Sequence, residues 1–383
     1  MLKLKYMSVK IGIFMIIFLL LPIHKSSAFQ SISHINKDEL AVEIEKIYNF
    51  RCLALTTGDY STLSNYYDTS KPSGRYALDH EIKRIKYLKD WSAQRDMEFK
   101  KITSTVRIKK VVSSGNALKL ILEESYRFDY AYRTPPVTPL NSFGVGIRHT
   151  ASLIKKNNKW LILSDWYTDC FEDSLQSYTF NLNSNINLLK NTLLCIKNFM
   201  YTTNPNKKIY NREKAIAYAD KYCGAAWGSG NNFKYNKKYD DYNGVGGDCT
   251  NFASQILGDK EGGSMRINDV WHPGTTAWAN ADGLKNYLLY SGRGTIIKIG
   301  TFNELTTSQP GMSNGIVNSL QLGDLIAYEN GRGNIDHFGM VTGFDSHKYP
   351  LVNSHTTDRY HVPWDLGWGD KDIRFFLIHI NDY

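Results

Sequence analysis

The segment Gly247-Asp248-Cys249-Thr250-Asn251-Phe252-Ala253-Ser254-Gln255-Ile256-Leu257 places a cysteine where a helix is expected to begin. Asp248 is a residue type that caps helices, and Phe252, Ala253 and Ile256 fall on one helical face, so Cys249 is expected in the first turn. There the helix dipole and the unpaired backbone amides favour a thiolate and help hold an oxyanion. A cysteine on an amphipathic helix is more often a buried packing residue, so the choice rests on whether a base accompanies it. Asp336-His337 precedes the alternating run Phe338-Gly339-Met340-Val341-Thr342-Gly343, which reads as a strand with His337 at its mouth, where it can reach a helix-start thiol. Alone, His337 reads as a satisfied strand-end histidine; with Cys249 present it reads as the general base of nucleophilic catalysis. On the next strand candidate, Leu351 to His355, Asn353 and His355 are two residues apart and share a face. Either could orient the imidazole, with His355 preferred.

These residues need elements to hold them. Arg212 to Tyr222 reads as a helix with Ala215, Tyr218, Ala219 and Tyr222 on one face, followed by a loop rich in Gly, Asn and Tyr that ends at Gly246-Gly247. Leu322-Gly323-Asp324-Leu325-Ile326-Ala327-Tyr328 reads as a turn feeding a strand. Further upstream, Leu40, Ile44, Ile47 and Tyr48, and then Ile82, Ile85 and Leu88, follow helical spacing. The texture then changes to β-branched and aromatic runs over Ile102 to Val112, Leu118 to Tyr132, Gly144 to Ile154 and Trp160 to Trp166, with turns at Ser113 to Asn116 and Lys156 to Lys159. Helices followed by an antiparallel meander give an α+β region. It resembles the cone-shaped nuclear-transport-factor-like fold. No cluster of ionisable residues in it suggests catalysis, so a spacer or targeting role is expected. Leu188 to Met200 reads as another helix, and Thr202 to Lys208, with Pro205 opposing helix continuation, reads as a linker.

At the amino end Lys3, Lys5 and Lys10 precede the apolar run Ile11 to Ile23, and Ser26-Ser27-Ala28 offers small residues for cleavage. This is the pattern of a secretory signal, and the run is shorter than the roughly 20 residues that span a bilayer. The expected organisation is a signal at 1–28, an accessory α+β region at 29–200, a linker at 201–209 and a second domain at 210–383, in a chain acting outside the cytoplasm, secreted or associated with the cell envelope. The net charge of +9 is scattered, with no basic helix or arginine stripe to suggest nucleic acid. In an exported protein it suits an anionic wall or membrane surface, or simply solvent. The five cysteines, Cys52, Cys170, Cys195, Cys223 and Cys249, are an odd number with no compact disulfide framework, and buried free thiols are expected. Nothing in the residues requires a metal or an organic cofactor, and oligomeric state is not legible. A metal-dependent reading would use His337, His355 and His361 with Asp336 or Asp358, but no metal-binding spacing supports it. A wall-binding module without turnover is the non-enzymatic alternative. Trp227, Trp271, Trp278, Trp364 and Trp368 are either cleft-lining residues or core anchors.

Taken in order, Tyr210-Asn211-Arg212-Glu213-Lys214-Ala215, the Gly247 to Gln255 segment, Trp271, Leu322-Gly323-Asp324-Leu325, Asp336-His337 and Ser354-His355-Thr356 resemble the putative amidase domain of exported bacterial proteins, a relative of the NlpC-type and CHAP-type papain-like cell-wall hydrolases. The resemblance implies a papain-like α+β fold, a cysteine–histidine mechanism at Cys249 and His337 with a third polar residue at His355 or Asn353, and cleavage of amide bonds in peptidoglycan peptides.

Overall fold

The computed structural model describes residues 36–134, 139–175, 178, 210–308, 315–369 and 372–382. The expected signal at 1–28, the helix at Leu188 to Met200 and the linker at 201–209 lie outside them. No helix among the described residues is long and apolar enough to cross a membrane.

The first two periodic stretches form helices. In α1 (Lys37–Thr57), the Asn36 side chain accepts from the Asp38 amide at the start and Gly58 ends the helix in a left-handed conformation. Helix α2 (Pro72–Gln94) begins with proline in its first turn, where the missing N–H costs nothing. The β-rich texture becomes four antiparallel strands: β1 (Met97–Ser114), β2 (Ala117–Tyr132), β3 (Asn141–Lys156) and β4 (Lys159–Tyr167). A single turn, α3 (Glu172–Leu175), follows.

The second half opens with α4 (Arg212–Tyr222), capped by Asn211, then α5 (Cys249–Gly258), the short α6 (Thr276–Ala279) and α7 (Ala281–Tyr290). After β5 (Gly294–Gly300) and α8 (Phe302–Thr306), five strands complete it: β6 (Leu325–Asn330), β7 (Ile335–Phe344), β8 (Pro350–Ser354), β9 (Asp358–Pro363) and β10 (Ile373–Ile380). All described strands belong to one sheet in the order β1-β2-β3-β9-β8-β7-β6-β10-β5, with β4 also on β3. The junction is short. Residues 144–146 of β3 pair with 358–360 of β9, while 149–156 of the same edge pair with β4. The helix-first and cysteine-bearing halves are thus joined by main-chain hydrogen bonds, a non-local pairing that no local pattern announces.

Alternation along the strands of the second half separates two apolar layers. Phe338 and Met340 pack with Leu325, Ala327 and the α4, α5 and α7 side chains Tyr218, Phe252, Ile256 and Leu288. Val341 points the other way and packs with Tyr328, Val352, Trp364, Trp368 and Phe375. Each large apolar side chain taken from water here contributes roughly 1.5–3 kcal/mol, so β7, packed on both faces, is a rigid floor for the residues at its start.

Candidate functional site

The chain enters α5 through Gly246 and Gly247, both at positive φ (117° and 110°), and a Cβ on Gly247 would crowd the Thr356 hydroxyl. Cys249 is the first residue of the helix, as its sequence position predicts. Asp248 is not, however, a side-chain cap. Its carboxylate accepts from the Tyr242 amide (3.1 Å) and the Asn251 side-chain amide (2.8 Å), and its other oxygen meets His355 Nδ1 at 2.6 Å. The first helical hydrogen bond is made by the Phe252 amide to the Asp248 carbonyl. The amides of Cys249, Thr250 and Asn251 therefore precede the helical ladder.

The Cys249 sulfur lies 4.0 Å from the Asp336 carbonyl and 3.8 Å from the Thr250 hydroxyl, and the Phe338 amide donates toward it. Asp336 and Phe338 flank His337, so the thiol sits against the main chain on either side of the expected base. No hydrogen bond joins thiol and imidazole. The His337 ring lies between Tyr328 (centroids 5.5 Å) and Trp368 (5.3 Å), and its Nε2 is buried without a partner. Burial, reinforced by the Arg359 charge, pushes His337 down to about 3. Burial likewise pushes the Cys249 thiol up, against the pull of hydrogen bonds from Phe338, Thr250 and Thr356. This corrects the expectation of a lowered thiol pKa. A helix start is worth about 0.3–1 kcal/mol to a charge, less than the cost of stripping water from it.

The two candidates for orienting the imidazole are committed elsewhere. His355 Nε2 meets the Tyr222 carbonyl at 2.8 Å; a carbonyl only accepts, so this nitrogen carries hydrogen and the 2.6 Å contact to Asp248 shares one proton. Its ring stacks on Phe252 at 3.5 Å. His355 therefore fastens the turn after β8 to the residue before the cysteine and does not touch His337. Asn353 Oδ1 accepts from the Thr342 hydroxyl (2.8 Å) and the His361 amide (2.7 Å), and its Nδ2 donates to Asp220 (2.8 Å). Its hydrogen bonds all go to groups other than the imidazole. Strand β8 ends at Ser354, with a register irregularity before it, so the alternation that put Asn353 and His355 on one face does not carry through.

The residues of the metal-dependent reading do not converge. His361 faces Asp220 (3.0 Å), His355 faces Asp248, and Asp358 holds Arg148 (2.9 Å) and the Ala225 amide (2.7 Å). Among the described residues no three His, Cys, Asp or Glu side chains form a metal-holding group. Trp271 and Trp278 are core anchors rather than cleft walls, bonded through their indole N–H groups to Ser254 (3.1 Å) and Asn251 (2.8 Å). Trp364 and Trp368 are buried too, and Trp227 is half-buried beneath Arg127. The four described cysteines are free; Cys195 lies outside the described residues.

Sequence reasoning missed Thr356, Trp368 and Arg359 as neighbours of the pair. It also missed a buried ionic network in the first half. Arg51 bonds Glu124 (2.6 Å) and Asp165 (2.9 Å), Arg84 bonds Glu81 (2.9 Å) and Asp169 (3.0 Å), and His149 bridges Asp165 (2.9 Å) and Glu124 (3.1 Å). Only the (i, i+3) spacing of Glu81 and Arg84 was available to signal it.

No curated protein matches the chain. Solved structures similar to it include the intermembrane space region of the chloroplast protein ARC6 (12% identity, 35% of this chain and 97% of that one, TM-score 0.25). Others are a putative dehydratase of the NTF2-like family from Streptomyces avermitilis (14%, 34% and 96%, 0.22) and an NTF2-like superfamily protein from Salmonella enterica serovar Typhimurium (14%, 35% and 92%, 0.21). Likenesses at that level carry no argument about this chain. The cysteine-bearing half is another matter: residues 209–378 match the profile of the family described as a putative amidase domain, which at the level of reaction class points to an amide hydrolase.

Proposed function

We propose that the segment from Tyr210 onward is a papain-like cysteine hydrolase that cleaves amide bonds in peptidoglycan peptides outside the cytoplasm. The observation that carries this reading is the Cys249 sulfur at a helix start, lodged against the main-chain groups on either side of His337. His337 takes the thiol proton as sulfur attacks the carbonyl carbon, and the oxyanion forms near the amides that precede the helical ladder, that of Cys249 first among them. His337 then gives the proton to the departing amine. Water, activated by the same imidazole, hydrolyses the thioester and restores the thiol. His355 acts through Asp248 to hold the helix start, and Asn353 braces the strand beside it. The lysine-flanked apolar run at the amino end supports export, and the net charge of +9 supports attraction to an anionic wall.

The test is incubation of the purified protein with a panel of peptidoglycan fragments, read by mass spectrometry for newly released amines. Hydrolysis by the wild type and its loss, by at least about a thousandfold, in a folded Cys249→Ala variant are expected. Hydrolysis that survives in Cys249→Ala overturns the assignment, and saturable binding of fragments without cleavage would favour the wall-binding reading.

A further inference from the structure

Between β9 and β10 the chain forms a strap, Trp364–Gly369, whose residues are almost all buried. It carries Trp368, which stacks on Tyr328 (centroids 4.7 Å) and lies against His337, and the Trp364 carbonyl accepts from the Tyr328 hydroxyl at 2.8 Å. The strap is held from the first half of the chain. The Gly367 amide donates to the Tyr87 hydroxyl (2.7 Å) and the Gly369 amide to the Ser174 hydroxyl (2.9 Å). Asp365, fully buried, accepts from Trp91 Nε1 (3.0 Å), from Arg95 Nε (2.7 Å) and, on its other oxygen, from the Tyr349 hydroxyl (2.7 Å). Arg359 donates to the Cys170 carbonyl (2.8 Å) on one side and the Leu366 carbonyl (2.6 Å) on the other. Gly367 has φ of 89°, and a Cβ there would collide with the Cys170 carbonyl, so main chain from the two halves meets directly.

A spacer would touch its neighbour through exposed, replaceable contacts. Here main-chain donors of the strap, the Gly367 amide buried among them, find their acceptors on α2 and α3, and leaving a buried donor unpaired is costly. We propose that the accessory region is a positioning part of the hydrolase: Tyr87, Trp91, Arg95 and Cys170 fix the strap so that Trp368 seats the His337 imidazole, with Asp365 as the joint. This rests on the reading of His337 as the base.

The experiment uses the full chain with Tyr87→Phe, which removes the acceptor of the Gly367 amide at nearly constant packing volume, and Trp91→Phe, which removes one donor to Asp365 together with part of the indole's volume. Two readouts are taken: kcat, KM and their pH profiles on the fragment found by the activity panel, and the rate at which diethyl pyrocarbonate modifies His337, mapped by peptide mass spectrometry. A loosened strap displaces the imidazole and admits water to it. In each variant kcat falls about tenfold with KM within about twofold, and an acid limb absent from the wild type appears near pH 6. His337 is modified several times faster. Wild-type kcat, profile and modification rate in variants whose melting temperature has nonetheless dropped would make the contacts structural only and overturn the proposal. If the wild type cleaves nothing on the panel, the functional reading fails while the modification rate still decides this one: faster in the variants supports it, equal overturns it.

Discussion

At the scale of single residues, Cys249 and His337, the proposed nucleophile and base, are each shifted against ionisation, the thiol upward and the imidazole down to about 3. The resting pair is therefore neutral, and the proton moves only when substrate supplies an electrophile. Alkylation of Cys249 by iodoacetamide should be no faster at pH 7 than that of an ordinary thiol and should accelerate only above about pH 8.5. Rapid reaction near pH 6, slowed by His337→Ala, would show a resting ion pair instead. The placement of Cys249 at a helix start and of His337 near the start of a strand was legible because the signals are local: a cap-type residue and an apolar face for one, an alternating run for the other. The role of His355 was not, because its partners Asp248 and Tyr222 lie 107 and 133 positions away and a strand irregularity turns it from the expected face. The direction of the thiol shift was also illegible, since it depends on how much water the completed fold removes.

At the scale of elements, α5 is placed by the Asp248 carboxylate, which ties the preceding loop, the helix and the turn after β8 together. Asp248→Asn keeps an acceptor for the Tyr242 amide but removes the charge facing His355. It should cost about 1.5–3 kcal/mol of stability, measured by urea unfolding, and should lower kcat more than it raises KM. A variant as stable as the wild type would show that the 2.6 Å contact contributes little. The helices were legible from spacing: Arg212 to Tyr222 emerges with its expected bounds. The strands were mostly legible too. Their order was not, because the pairing of β3 with β9 joins residues more than two hundred positions apart and depends on which edge is free.

Across the whole molecule, the two halves are held by one sheet and by the strap, and within the first half a buried ionic network ties α1 and α2 to β2, β3 and β4. His337 and the network carboxylates set acid limits, and His149 an alkaline one. His337 is held below its unfolded value of about 6.5, so the stability associated with its neutral form is present above that pH and lost as pH falls toward 3. Glu81 and Asp169 are held at about 2 despite burial, by Arg51 and Arg84 in the first case and by Arg84 and His80 in the second, so their contribution is present above about pH 4 and lost as pH falls to 2. His149 is raised by Asp165 and Glu124 against the opposing effect of burial; its contribution is full below about 6.5 and lost as pH rises through the folded value. The melting temperature should therefore fall in two stages on acidification, first below about pH 6.5 and again below about pH 4. A folded His337→Gln variant should lack the first stage; a wild-type melting temperature constant from pH 7 to 4 would contradict the buried neutral imidazole.

The most direct test of the central claim is the mass of the enzyme caught during turnover. Wild-type protein mixed with a cleavable fragment and quenched in acid within milliseconds should carry the acyl half of that fragment as a thioester on the peptide containing Cys249, and the Cys249→Ala protein should carry none. Acyl label on another residue, or undiminished hydrolysis by Cys249→Ala, would contradict it.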